Sequence, residues 1–326
     1  MQNIGKETTL NIRQSLGNQI TCGEDFMKLI INQQLENGCL GGPKHVLLSV
    51  ESENEIYQIS IAQALKRKIT IESSGETDIQ KLLGIYFNLS TLLMIFDGQF
   101  LSVDSIYENE VEITQSWKKR TLPCYVSGDF LRGAGNILIG FEQVLTEQLY
   151  YDWCYLRKEL DLIHNMLLYC VSDIPIPIDI KCAFIIESFL GISDLVKQKH
   201  PEIVFPTLKK GESKLQKYLE KIIELYGKMI FSEESQYSND SFTKILVDSR
   251  NRIAHIHSKQ DKYYLNDGEC VIYLIKLFML IRIILMDFLE IPDSLYRDKL
   301  ISKISSVNNH ESAQEFFKKL SSRINN

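Results

Sequence analysis

The chain has 326 residues, 44% hydrophobic and 24% charged, a composition that excludes the disordered and fibrous classes. Lys and Arg number 36 against 42 Asp and Glu, for a net charge of −6; this excludes a polybasic protein that coats nucleic acid by bulk charge and allows only a local basic pocket. At this length one core is near its practical ceiling, which favours two domains over one.

The first residues, MQNIGKETTLNIRQ, are too polar for the apolar segment of a signal peptide, and a cytoplasmic location is expected. From His45 to about Ser73 apolar residues alternate, as in Val46, Leu48 and Val50, and the segment reads as strands. A helix is expected from about Thr77 to Phe96, then short strands at Gln99 to Val103, Glu110 to Thr114 and Asn136 to Val144. Residues 1–142 therefore read as a mixed α/β domain. Beyond them the period changes. Trp153, Leu156, Leu160, Ile163 and Leu167 step by three and four and fall on one stripe of a long helix. Asp179 is a plausible N-cap for a helix to about Gln198, Leu215 to Ile230 marks the next, and Ser238, Asn239 and Asp240 offer caps for Phe242 to about His255. Gly268 precedes a strongly apolar helix at 270–290, and shorter helices near Ser294 to Ser305 and Glu311 to Arg323 finish the chain. The expected class is α+β, with residues 143–326 all-α.

The seven cysteines (22, 39, 124, 154, 170, 182, 270) are scattered, with no C-x-x-C and no His at ligand spacing. Neither zinc nor a disulfide framework is expected, and no metal or other cofactor. Lys276, Arg282, Asp287 and Glu290 interrupt the apolar stretch from Val271 to Ile291, so it reads as a buried helix rather than a membrane span. Gly38 to Lys44 lacks the spacing of a phosphate loop, and Gly133 to Gly140 has Leu138 where the third glycine of G-x-G-x-x-G belongs. Both read as turns. The G-x-S-x-G and H-E-x-x-H motifs are absent.

The informative run is Val247-Asp-Ser-Arg-Asn-Arg-Ile-Ala-His-Ile-His257, which gathers two arginines, an asparagine and two histidines at one helix end. On its own such a run reads as a solvated helix end whose cations complement the dipole. Its chemistry is nonetheless specific. Arginine is a permanent forked cation suited to phosphate oxygens, and histidine can exchange a proton near neutrality. Together they can hold a phosphodiester and move protons at the 2′-OH or the leaving 5′ oxygen without a metal. At about 100° per residue Arg250 and His255 lie about 140° apart, whereas Asn251 and His255, or Arg250 and His257, share a face. Either the helix loosens after Ala254 or the site is completed across a two-fold axis.

Arg250-Asn251-x-x-x-His255 is an R-x4-H match late in the fourth expected helix of an all-α region, followed by a long apolar helix. This arrangement, over about residues 145–291, resembles the HEPN superfamily and, by its C-terminal placement, the Apea-like HEPN branch found in bacterial defence proteins. The resemblance implies a metal-independent endoribonuclease of antiphage defence or toxin type, dimeric through the helical domain, with Arg250 and His255 catalytic and Asn251 supporting them. It implies RNA as the partner, a regulatory protein or phage-derived trigger, and residues 1–142 as a domain that senses the trigger or positions RNA; the charged residues within Val271 to Ile291 speak against a membrane. A toxin subgroup carries R-x4-H-x-Y; His257 stands here where its tyrosine would be. A catalytically silent module that binds nucleotide or a partner protein is the alternative.

Further residues carry weaker signals. His257 and Arg252 are accessory by position. Glu187, inside an apolar run, wants a cation, with Arg250 or Arg282 as partner, or else lies half exposed on a helix edge. Trp117, Lys118, Lys119 and Arg120 interleave an aromatic with three cations, as a single-strand RNA platform would, although a solvated loop fits as well. His164 reads as a surface or boundary residue.

Overall fold

The structure, a computed structural model, describes residues 27–34, 43–64, 66–75, 77–101, 103–116, 136–171, 176–237, 239–255 and 262–324. It is α+β, with an antiparallel sheet followed by helices. The sheet comprises β1 (Lys28–Gln34), β2 (Lys44–Ser52), β3 (Glu55–Gln63), β4 (Lys66–Ser73), β5 (Val103–Glu108) and β6 (Val111–Glu112), in the order β2-β3-β4-β1-β5-β6. Register aligns the inward residues into rows: Leu48, Ile59, Ile71 and Leu29 form one, and Val46, Ile61, Ile69, Ile31 and Ile106 another. Glu53 and Asn54, both with positive φ, make the tight turn between β2 and β3, the geometry that matches the twist of a two-residue hairpin.

Helix α1 (Ile79–Asp97) covers that apolar face. Asp78 caps it by accepting from the Lys81 N–H, and Gly98, at φ 73°, ends it in the left-handed conformation. By length and composition α1 could cross a membrane, but 67% of its most apolar stretch is buried inside the fold.

The helical region contains α2 (Glu147–Leu160), α3 (Leu162–Cys170), α4 (Ile178–Lys199), α5 (Lys214–Ile222), α6 (Ser232–Ser235), α7 (Asn239–Ala254), α8 (Asp267–Phe288), α9 (Arg297–Asn308) and α10 (Glu311–Ile324). Helix α4 packs against α3, α5, α7 and α8. The expected burial of the apolar helix holds: α8 turns buried side chains outward in every direction along most of its length. It starts with a reciprocal capping box, in which Asn266 accepts from the Glu269 N–H and Glu269 from the Asn266 N–H. The two cations inside it are buried. Lys276 pairs with Glu234 at 2.5 Å, and Arg282 donates from Nε and Nη2 to the carbonyls of Ile95 and Phe96 at 2.6 and 2.8 Å.

Arg282 thus ties α8 to the end of α1. Beside it Arg67 grips Asp97 with both guanidinium arms, at 2.6 and 3.0 Å, and Trp153 Nε1 donates to the Asn88 carbonyl at 2.9 Å. The apolar core runs unbroken from the sheet through α1 into the helices.

Several expectations are corrected. Strand β1 was not anticipated, because only Leu29 and Ile31 carry its inward pattern before the buried Gln33, which donates to Tyr86 Oη. Residues 99–101 are not a strand; β5 begins at Val103 and β6 is confined to Val111–Glu112. Asn136 to Val144 is irregular except for a 3-10 turn at Phe141–Gln143, and Leu138, Ile139 and Phe141 plug the core without strand partners. The stripe from Trp153 to Leu167 spans two helices, broken at Asp161, whose φ is 44°. With α6 also added, the R-x4-H run lies on the sixth helix of this region rather than the fourth. Finally, Asp179 lies inside α4, whose N-cap is Pro177, and Gly268 lies inside the first turn of α8.

Candidate functional site

Arg250 lies just before the last turn of α7, and Glu187 midway along α4, the helix packed against it. Arg250 Nη2 meets Glu187 Oε2 at 2.6 Å, and Nη1 donates to Asn251 Oδ1 at 2.9 Å. Two arms of one planar guanidinium are therefore held at once, which fixes the plane of the fork. The pair stands at the edge of the fold, with side chains 19% and 32% exposed, so it reaches solvent without being free in it. Both readings of Glu187 hold together: it is half exposed, and its cation is Arg250. Arg282 serves α1 instead.

His255 follows the last residue of α7 and is exposed, and its backbone N–H donates to the Asn251 carbonyl at 3.0 Å. That is one more bond of the helical ladder. It closes the last turn of α7, which ends at Ala254, the place where the sequence allowed the helix to loosen. Arg252 is exposed on another face, its guanidinium 5.0 Å from the centre of the Tyr264 ring. His257 lies outside the described residues, as do Trp117, Lys118, Lys119 and Arg120.

The residues that anchor the motif were not singled out from the sequence. Ser249 Oγ donates to the Ile245 carbonyl at 2.8 Å and accepts from the Leu265 N–H at 3.0 Å, which binds the returning chain to the base of the motif. Lys262 lies 3.5 Å from Asp248, a second tie between the same segments. Further on, Tyr263 donates to Glu269 at 2.5 Å, and Lys319 on α10 reaches both of them. The only sequence signal was position: Asp248 and Ser249 immediately precede Arg250.

His164, read as a surface or boundary residue, is a core one. It is 2% exposed, packed edge-on to Phe87 at 5.8 Å, and burial together with the Arg157 charge pushes its imidazole down to about 4. It is held neutral and away from the motif's chemistry. The buried thiols are equally inert: burial pushes Cys170 up to about 12, and its hydrogen bond with Cys270, together with burial, pushes Cys182 well up. Among the described residues no group of three or more His, Cys, Asp or Glu side chains could hold a metal ion.

Comparison with known families finds that residues 183–295 match the model of the Apea-like HEPN domain, while no curated protein and no solved structure matches the chain. The matched segment begins four residues before Glu187 and contains the whole Arg250 to His255 run. The helical region of this protein therefore carries an Apea-like HEPN domain of the HEPN superfamily.

Proposed function

We propose that the protein is a metal-independent endoribonuclease of antiphage defence or toxin type, acting in the cytoplasm as a homodimer through its helical region. The observation that carries this reading is the Arg250 guanidinium, fixed by Glu187 and Asn251 near the accessible end of a helix that His255 directly follows. In the proposed reaction the Arg250 fork binds phosphate oxygens and stabilises the added charge of the transition state. His255 moves the proton between the attacking 2′-OH and the leaving 5′ oxygen. Attack of the 2′ oxygen on phosphorus forms a 2′,3′-cyclic phosphate and expels a 5′-OH. Asn251 and Glu187 orient Arg250, and residues 1–142 position RNA or receive the activating partner.

The angular offset between Arg250 and His255 set by their spacing favours completion of the site in trans. Two copies of the helix end, related by a two-fold axis, can bring Arg250 of one near His255 of the other, which a single straight helix does not. A second reading, a silent module that binds nucleotide or protein, draws on the ion pair itself, since Glu187 occupies the arm of Arg250 that a phosphate would need.

The test incubates the full chain with labelled RNA in EDTA. Expected are cleavage, products ending in 2′,3′-cyclic phosphate, and loss of cleavage with retained RNA binding in His255→Ala. Arg250→Lys also fails, because an ammonium lacks the planar fork. Cleavage of DNA at a comparable rate, or of RNA methylated at the 2′-OH of the cut site, refutes the mechanism. RNA or nucleotide binding without cleavage under any activating condition favours the silent module.

A further inference from the structure

Helix α10 lies beyond the matched segment, which ends at residue 295, yet it bears on the motif. Its buried face, Ala313, Phe316, Phe317 and Leu320, recurs at helical spacing, and the helix packs against α8. The approach is close: a Cβ at Gly268, in the first turn of α8, would stand 2.5 Å from Ser312 Oγ. Phe316 meets the ring of Tyr263 at 6.2 Å and that of Tyr273 at 5.0 Å. One turn on, Lys319 reaches over the Tyr263 ring, with Nζ 5.3 Å from its centre.

Lys319 closes a clamp whose hub is Glu269, a carboxylate fully buried at the start of α8. Glu269 Oε1 accepts from Tyr263 Oη at 2.5 Å and from Lys319 Nζ at 2.9 Å, and Oε2 accepts from the Asn266 N–H at 2.9 Å. Lys319 Nζ also donates to Tyr263 Oη at 3.0 Å. Burial and the bond to Glu269 push the Tyr263 hydroxyl up to about 12, so it stays protonated and keeps donating. One carboxylate thus holds both ends of the segment from Tyr263 to Asn266, and Lys319 balances its charge. Between those ends the Leu265 N–H donates at 3.0 Å to Oγ of Ser249, the residue directly before Arg250. Hydrogen bonds weaken steeply with misalignment, so a shift at Ser249 is felt at both arms of the Arg250 guanidinium.

We propose that Lys319 is a positioning residue for Arg250: through Tyr263 and Glu269, α10 fixes the chain at Leu265 against Ser249 and so holds the guanidinium in the plane that Glu187 and Asn251 define. Without the ammonium, a buried carboxylate loses its cation and one end of the clamp comes free. The consequence for cleavage rests on the endoribonuclease reading above; the consequence for the guanidinium does not.

Nitrogen-15 NMR of the full chain tests it. In the wild type the Arg250 Nη protons give separate signals, because two partners stop the guanidinium turning. Lys319→Met keeps an aliphatic stem on the Tyr263 ring and removes the cation; it should merge those signals and speed hydrogen exchange at the Leu265 N–H by roughly tenfold or more. Tyr263→Phe should do the same, and Lys319→Arg should restore both. Gly98→Ala is the stability control: it weakens the fold beside Arg282, thirteen residues beyond Glu269 and about 20 Å along α8, and should leave the Arg250 signals separate. In RNA cleavage Lys319→Met should lower kcat roughly tenfold or more with KM within about twofold of wild type. The proposal is overturned if the Arg250 and Leu265 signals are unchanged in both Lys319→Met and Tyr263→Phe, if Gly98→Ala loosens Arg250 equally, or if a variant with a loosened Arg250 keeps its kcat. A wild-type chain that cuts no RNA, while Lys319→Met still frees Arg250, overturns the endoribonuclease reading and leaves the positioning role standing.

Discussion

The burial of His164 makes the stability of this protein depend on pH in a calculable way. In the fold the imidazole is held neutral down to about 4; in the unfolded chain it titrates at its ordinary 6.5. Burial is the main cause, the charge of Arg157 adds to it, and the hydrogen bond with Asn165 works weakly against both. Between those two values the unfolded state binds the extra proton, so stability rises with pH across the window and is lost as pH falls from 6.5 toward 4. Below the folded value both states are protonated and the loss is complete. At about 1.4 kcal/mol per pH unit the full loss is roughly 3 kcal/mol, of which about 2 kcal/mol has gone by pH 5. Carboxylates contribute their own acid sensitivity, so the assay is a difference. Urea unfolding of the wild type and of His164→Leu, followed from pH 7 to pH 4, should show the wild type losing roughly 3 kcal/mol more than the variant. His164 touches Phe87 on α1 and Trp153 on α2, and protonation should loosen that seam first. Parallel pH profiles for the two proteins would show that His164 reaches water in the fold, and would refute the reasoning.

Two further perturbations probe the framework around the site. Lys276→Met leaves Glu234, fully buried, without its cation and should cost about 3–5 kcal/mol, whereas Lys276→Met with Glu234→Leu should recover most of that; a single variant within 1 kcal/mol of wild type in urea unfolding contradicts it. Gly98→Ala should lower the melting temperature by several degrees, since a Cβ there would stand 2.6 Å from both Arg282 Nη1 and the Asn136 carbonyl at a φ of 73°; unchanged melting would mean that α8 is not pinned to α1 as the structure has it.

Much of this protein is legible in the order of its residues, because the periodicities that reveal elements are local. The alternation at Val46, Leu48 and Val50 and the apolar circumference of α8 both follow from which side chains must leave water, and α8 could be placed in the core before any neighbour was known. The R-x4-H run was equally visible as a helix-end cluster, and its resemblance to the Apea-like HEPN branch agrees with the family match. Features that depend on distant partners were not visible. Two inward residues mark β1 as a strand only because β4 and β5 flank it, and a helical stripe gives no sign that the chain turns at Asp161. His164 carries no mark of burial; Phe87, far earlier in the chain, covers it. Glu187 announced that it needed a cation, but both Arg250 and Arg282 were open to it until α4 was laid against α7 and the end of α1 took Arg282. A carboxylate's demand for a counter-charge is set by its own chemistry; which arginine answers it is set by helix packing.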